Sequence, residues 1–142
     1  MLLIHPAMQL VGILLAIVTF LTGLQRFRSL HLHRRTKFPW RLHVLLGKIS
    51  LMMLMAGMGL GLGMARYHWG QNLMTMGHGK TGLVILPFLL FGLVSGVTLD
   101  GKVKERQVLR VLHGVSNTIL LLLLLNQARS GLRVYMTFVS GL

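Results

Sequence analysis

The chain has 142 residues, of which 54% are hydrophobic and only 12% charged, and its mean hydropathy is +0.70. A soluble domain carries about 25% charged residues, so the composition excludes an ordinary soluble protein and indicates a chain that lies mostly in a lipid bilayer. There is no cysteine, which excludes disulfides, thiolate-held iron–sulfur clusters and covalently attached c-type haem.

Four apolar stretches follow one another along the chain. A helix that crosses the hydrocarbon layer needs roughly 17–25 apolar residues, and the approximate spans predicted on this basis are 2–24, 42–65, 79–99 and 109–129. The first stretch lacks a basic n-region and a convincing cleavage site, so we expect a retained span and not a signal peptide. The sequence predicts an all-α integral membrane protein, a single-domain up-down-up-down four-helix bundle.

The net charge of +13 is unevenly distributed, and the distribution predicts the topology. Six Lys and Arg residues lie within 26–41 and four within 102–110, whereas four basic residues lie on the opposite side of the membrane. The positive-inside rule then places both termini outside the cytoplasm. Because topology accounts for the charge, we expect no nucleic-acid partner; membrane lipid is the expected contact, including anionic lipid along the first loop.

The segment MGHGKTGL before the third span contains the Gly-Lys-Thr that ends a phosphate-binding loop. That loop needs a glycine where this chain has Met74, and it precedes a helix of an α/β domain. Here the segment precedes an uncharged apolar run instead. We therefore expect no nucleotide, and His78 becomes the residue of interest.

One histidine lies near the start of each predicted span: His5, His43, His78 and His113. Successive helices reverse direction, so the first and third of these histidines lie at one membrane depth and the second and fourth at the other. Helices one and three are diagonal in such a bundle, as are two and four, so each pair faces across the core. This arrangement suits two bis-histidine haem sites, an outer one and an inner one. A single histidine at a span end is usually only an interfacial polar residue, but four in register favour a cofactor.

The residues four positions after these histidines share their helical faces. They are Gln9, Gly47, Gly82 and Asn117. Each predicted site thus receives one amide, which can donate a hydrogen bond, and one glycine, against which a porphyrin plane can lie.

Basic side chains near the histidines are candidate partners of haem propionates. Arg41, Lys48 and Arg110 are the inner candidates, and Lys80 is the main outer one. For Lys48 the alternative is that its ammonium group snorkels to the cytoplasmic surface.

The stretches around the histidines resemble a known family. Trp40–Gly47 (WRLHVLLG), Gly77–Gly82 (GHGKTG) and Arg110–Asn117 (RVLHGVSN), with Ile4-His-Pro6 in the first helix, resemble the cytochrome b561 and ferric-reductase-like transmembrane family, in its small prokaryotic four-helix form. The resemblance covers nearly the whole chain. It implies two haem b groups, with His5 and His78 as ligands of the outer iron and His43 and His113 of the inner, in a bacterial cytoplasmic membrane. Eukaryotic members have flanking helices that are missing here, so their ascorbate site is not carried over.

The functional expectation is electron transfer. A proton pump or ion transporter normally places Asp or Glu within its spans, and no nucleophile–base–acid constellation is visible. We expect a dihaem b-type cytochrome that passes electrons between a quinone or cytoplasmic donor and an external partner, as a subunit of a larger redox complex. Two alternatives remain open: a protein binding chlorophyll-type pigments through the same histidines, and a purely structural membrane subunit.

Overall fold

The computed structural model describes residues 3–32, 35–71, 75, 77–101 and 106–138, and the described residues form four helices and no strand. The helices are α1 (Ile4–His31), α2 (Trp40–Trp69), α3 (Gly77–Asp100) and α4 (Gln107–Phe138). The shortest has 24 residues, or about 36 Å at 1.5 Å per residue, which exceeds the roughly 30 Å hydrocarbon layer. Each helix is therefore long and apolar enough to cross a membrane, and the predicted all-α class is confirmed.

The four helices close into a ring. The two helices of each hairpin pack most extensively, α1 on α2 and α3 on α4, and the ring is completed by α2 against α3 and α4 against α1. Within the described residues the diagonal helices do not approach each other closely. This is the arrangement expected of an up-down-up-down bundle with short connections.

The helices run past the predicted spans at several ends. α1 continues to His31 and so includes Arg26 and Arg28, which the sequence analysis assigned to the first loop. Apolar runs mark the part of a helix inside the hydrocarbon layer, whereas backbone hydrogen bonding continues into the polar interface because arginine is a good helix former. α2 ends where Gly70 adopts a left-handed conformation, with φ of 70°, and donates its N–H to the Arg66 carbonyl.

A cluster of buried aliphatic side chains fills the middle of the bundle. Leu54 and Leu89 are 1% exposed and lie at its centre. Ser50 is also buried there and donates its hydroxyl to the Gly12 carbonyl oxygen at 2.9 Å, so its polar group is satisfied. The remaining buried members are Ile13, Leu51, Ile85, Leu120 and Leu124. Every helix contributes to this cluster at positions well beyond its histidine, so the histidines lie at the two ends of the bundle.

The outward faces of the helices are apolar as well. Large hydrophobic side chains are exposed on all four, for example Leu14, Met52, Val94 and Leu122. In water such a surface would be unfavourable, whereas hydrocarbon is its natural solvent. The chain is therefore a multi-pass membrane protein.

Candidate histidine sites

The first histidine pair joins the diagonal helices α1 and α3. The ring centres of His5 and His78 lie 6.3 Å apart, and the ring planes are inclined at 80°. These residues are 73 positions apart in sequence and their helices do not otherwise approach each other. The two imidazoles thus face each other across the bundle, at the end where α1 and α3 begin.

The second pair, His43 on α2 and His113 on α4, lies at the opposite end of the bundle. The two side chains interact electrostatically, and both are half-buried. Phe38, in the segment before α2, packs on the His43 ring with 5.3 Å between ring centres. The Arg26 guanidinium in turn lies over the Phe38 ring, 5.8 Å from its centre. The end of α1 and the first connection therefore cover His43.

The Nδ1 atom of every one of these histidines is held by the neighbouring helix of the same hairpin. On the first hairpin, His5 Nδ1 lies 2.7 Å from the Gly57 carbonyl oxygen. His43 Nδ1 lies 3.0 Å from the Thr19 carbonyl oxygen and 2.9 Å from Thr22 Oγ1.

The second hairpin holds its histidines in the same way, through serine hydroxyls. His78 Nδ1 lies 2.9 Å from Ser130 Oγ, and His113 Nδ1 lies 2.7 Å from Ser95 Oγ. All four rings are thus oriented through Nδ1, and Nε2 is the nitrogen that would meet a ligand, although at His78 it has Gln127 Nε2 at 3.5 Å.

Each ring also rests on a glycine of that neighbouring helix. A Cβ added to the glycine would lie 2.7 Å from Cε1 of His5 at Gly61 and 3.1 Å from Cε1 of His43 at Gly23. The corresponding distances are 3.0 Å from His78 at Gly131 and 3.4 Å from His113 at Gly96. Three of the four distances are shorter than ordinary van der Waals contact. The glycines therefore provide the room that the imidazoles occupy, and we call them the seat glycines.

The seat glycines follow a regular spacing that the sequence analysis missed. Each helix carries a seat glycine 18 positions after its own histidine, for example Gly23 after His5 and Gly61 after His43. Eighteen residues make five turns at 3.6 residues per turn, so histidine and glycine lie on the same face of the helix. Because neighbouring helices are antiparallel, the histidine of one helix meets the glycine of the other. A search for this spacing would have found the seats.

The two amide residues predicted beside the histidines, Gln9 and Asn117, form hydrogen bonds to backbone carbonyl oxygens of the bundle. Gln9 donates to the Leu54 carbonyl oxygen at 3.1 Å. Asn117 donates to the carbonyl oxygen of His113 at 2.8 Å, and its Nδ2 lies 3.3 Å from the Nδ1 of that histidine. Gln9 thus bonds the neighbouring helix α2, whereas Asn117 lies against His113.

Gly47 and Gly82, which lie four positions after His43 and His78, are covered by side chains of neighbouring helices. A Cβ on Gly47 would lie 3.4 Å from Thr19 Cγ2, and one on Gly82 would lie 3.3 Å from Gln127 Nε2. Gln127, which the sequence analysis did not single out, donates to the His78 carbonyl oxygen at 2.8 Å, and its Nε2 lies 3.5 Å from His78 Nε2. The surfaces expected to face a porphyrin plane therefore face the Thr19 methyl group and the Gln127 amide of neighbouring helices.

The basic residues predicted around the sites lie in two kinds of environment. Arg41, Lys80 and Arg110 are exposed. Lys48 forms an ion pair with Asp100, with Nζ 2.9 Å from Oδ2 and side-chain exposures of 38% and 23%. The sequence analysis considered snorkelling and a propionate for Lys48 but not this partner, which lies at the end of α3.

The donor set of each pair decides what kind of group it suits. A bare zinc ion takes four protein ligands in a structural site, and no group of three or more His, Cys, Asp or Glu side chains that could hold a metal occurs in the described part of the chain. Two imidazoles suit a metal that brings its other ligands with it, as in a metalloporphyrin. Two imidazoles that share such a metal have ring centres about 6 Å apart, from bonds of about 2 Å and about 1 Å from each nitrogen to its ring centre. The His5–His78 separation fits this geometry.

Comparison with known proteins identifies no relative. No family model, no curated protein and no solved structure matches the chain.

Proposed function

We propose that this chain is a dihaem b-type cytochrome of the membrane, with one haem between His5 and His78 and the other between His43 and His113. The observation that carries the proposal is the 6.3 Å between the His5 and His78 ring centres. This is the separation expected for two axial ligands of one metal, and it occurs between helices that otherwise stay apart.

The hydrogen bonds of the imidazoles support the same function. Metal-ligating histidines almost always donate their other ring N–H to a carbonyl, carboxylate or water. In this chain His5 and His43 each have a backbone carbonyl oxygen at Nδ1, and His78 and His113 have serine hydroxyls. Purely structural histidines have no reason to share this orientation at four equivalent places.

The spacing of the sites suits electron transfer across the bilayer. Eighteen residues separate His5 from Gly23, the seat of the other pair, or about 27 Å at 1.5 Å per residue. A bound haem supplies a one-electron carrier at each level. Leu54, Leu89 and their buried neighbours fill the space between the levels. Such an apolar layer blocks the passage of water and ions, whereas electrons cross it by tunnelling.

The setting of the proposed cytochrome follows from the charge distribution and the resemblance to the cytochrome b561 group. We place it in a bacterial cytoplasmic membrane with both termini outside and the His43–His113 pair on the cytoplasmic side. A quinone or a cytoplasmic protein is the proposed donor, and the partners are membrane lipid and other subunits of a redox complex.

An absorption spectrum of the purified protein, combined with a pyridine haemochrome assay, tests the proposal. We expect two non-covalent b-type haems per chain, all extracted by acidic acetone. Fewer than one haem per chain contradicts the proposal. A chlorophyll-type spectrum would instead assign the histidines to magnesium pigments, and a colourless protein would indicate a structural subunit.

A further inference from the structure

We propose that Ser95 and Ser130 are positioning residues that fix the protonation of the histidine beside them and thereby set the reduction potential of one haem each. The inference rests on the proposed function, because it concerns ligands of haem iron. The hydroxyls of Ser95 and Ser130 thus have a role beyond helix packing.

The hydrogen bonds of Ser95 determine which nitrogen of His113 carries the proton. Its hydroxyl has one proton, which is directed to the carbonyl oxygen of Phe91 on its own helix. The 2.7 Å contact with His113 Nδ1 is then made by an N–H of the imidazole. Asn117 Nδ2, 3.3 Å from the same nitrogen, donates instead to the His113 carbonyl oxygen at 2.8 Å. His113 Nε2 is left with the lone pair that binds a metal.

Ser130 determines which nitrogen of His78 carries the proton in the same way. The Ser130 hydroxyl donates to the Gln127 carbonyl oxygen at 2.9 Å, so it accepts from His78 Nδ1. Thr22 repeats the pattern on the first hairpin, since its hydroxyl donates to the Thr19 carbonyl oxygen at 2.7 Å and contacts His43 Nδ1. His5 is bonded to a carbonyl oxygen, which can only accept. All four histidines therefore have the proton on Nδ1.

The position of these hydroxyls is specific. Thr22, Ser95 and Ser130 each directly precede a seat glycine, whereas Leu60 precedes the fourth, Gly61. Helix α2 packs without a hydroxyl at this position, and His5, which rests on Gly61, uses the Gly57 carbonyl oxygen instead. A hydroxyl at this place is thus dispensable for helix packing, and its constant partner is the imidazole.

The chemical consequence is a more basic ligand. An imidazole that donates its second N–H to an acceptor is a stronger electron donor to the metal, and a stronger donor favours the oxidised iron. Removing the acceptor should therefore raise the potential of the haem bound by that histidine and leave the other haem unchanged. Ser95 acts on the His43–His113 haem and Ser130 on the His5–His78 haem.

The test is a spectroscopic redox titration of Ser95→Ala and Ser130→Ala in the full-length protein, with haem content measured on the same samples. We expect each variant to shift one of the two transitions and not the other. The reduced-to-oxidised ratio at a fixed potential should change about two- to tenfold. This range corresponds to the net free energy that one hydrogen bond contributes. Selective loss of the haem beside the variant, with the other retained, would support the same role.

Two matched variants separate this role from a general effect on α3. Thr98→Ala removes a hydroxyl three residues away whose bond, among the described residues, is to the Val94 carbonyl oxygen of its own helix, and it should leave both transitions in place. Ser95→Thr keeps the hydroxyl, as Thr22 does at the equivalent place, and should retain the parent potential. Two unshifted transitions in Ser95→Ala and Ser130→Ala would overturn the inference while leaving the proposed function intact. So would equal effects of Ser95→Ala and Thr98→Ala. A parent protein that binds no haem overturns the proposed function, and the inference with it.

Discussion

The imidazole of His5 on α1 rests against Gly61 of α2 so closely that a Cβ at that glycine would lie 2.7 Å from the ring. This contact joins the beginning of α1 to the last third of its antiparallel neighbour α2. It recurs in each hairpin and at each end of the bundle.

Gly61→Ala should displace the His5 ring, because a methyl group at that distance overlaps the imidazole and the Gly57 bond to Nδ1 allows little movement. We expect the haem at His5 and His78 to be lost or its spectrum to change, while the other haem persists. Gly59→Ala is the matched control two residues away, where an added Cβ meets nothing within 4 Å. Haem content and the reduced-minus-oxidised spectrum measure the effect. Parent-like values for both variants would show that Gly61 is not needed as a seat.

Removing one ligand should affect one site. His113→Ala should remove or perturb the haem shared with His43, and His78→Ala the haem shared with His5, because the two pairs lie about 27 Å apart by 18 helical rises. In vesicles with an impermeant reductant outside and an acceptor enclosed, both variants should stop electron transfer across the membrane. Transfer at the parent rate by an assembled variant would contradict a relay through two sites.

The inclination of the ligand planes predicts a magnetic signature. The His5 and His78 rings are inclined at 80°, and nearly perpendicular axial imidazoles leave the two iron orbitals that bond with them almost equal in energy. We therefore expect the ferric haem of this pair to give a low-spin electron paramagnetic resonance signal of large anisotropy. A spectrum typical of parallel imidazoles would mean that one ring rotates when haem binds.

The ion pair between Lys48 and Asp100 should contribute little to stability but favour the contact between hairpins. Both side chains are partly exposed, so we expect a coupling free energy of at most about 1 kcal/mol in a double-mutant cycle of Lys48→Met and Asp100→Asn. Reversible unfolding in detergent measures this value. A coupling several times larger would indicate a desolvated pair that holds α2 and α3 together.

The orientation of the chain can be tested separately from the haems. Ten basic residues lie within 26–41 and 102–110, so a reporter fused after Leu142 should be active only outside the cytoplasm. Activity confined to the cytoplasm would reverse the chain and exchange the inner and outer assignments.

Much of the fold was predictable because the relevant signals are local. Apolar length predicts the number of spans, and one histidine near the start of each helix gives two depths once the helices alternate in direction. The prediction that His5 faces His78 needs no more than this alternation and the diagonal placement of helices one and three. Neither step depends on which side chains touch.

The contacts that orient the histidines depend on the tertiary structure. His5 meets Gly57 and Gly61 more than fifty residues away, and Lys48 meets Asp100 at a similar separation. Hydropathy does not distinguish Gly61 from Gly59, yet only the first faces the ring, because the register of α2 against α1 decides it. The regular spacing from histidine to glycine was present in the chain, but its meaning appears only when two antiparallel helices bring one residue of each pair together.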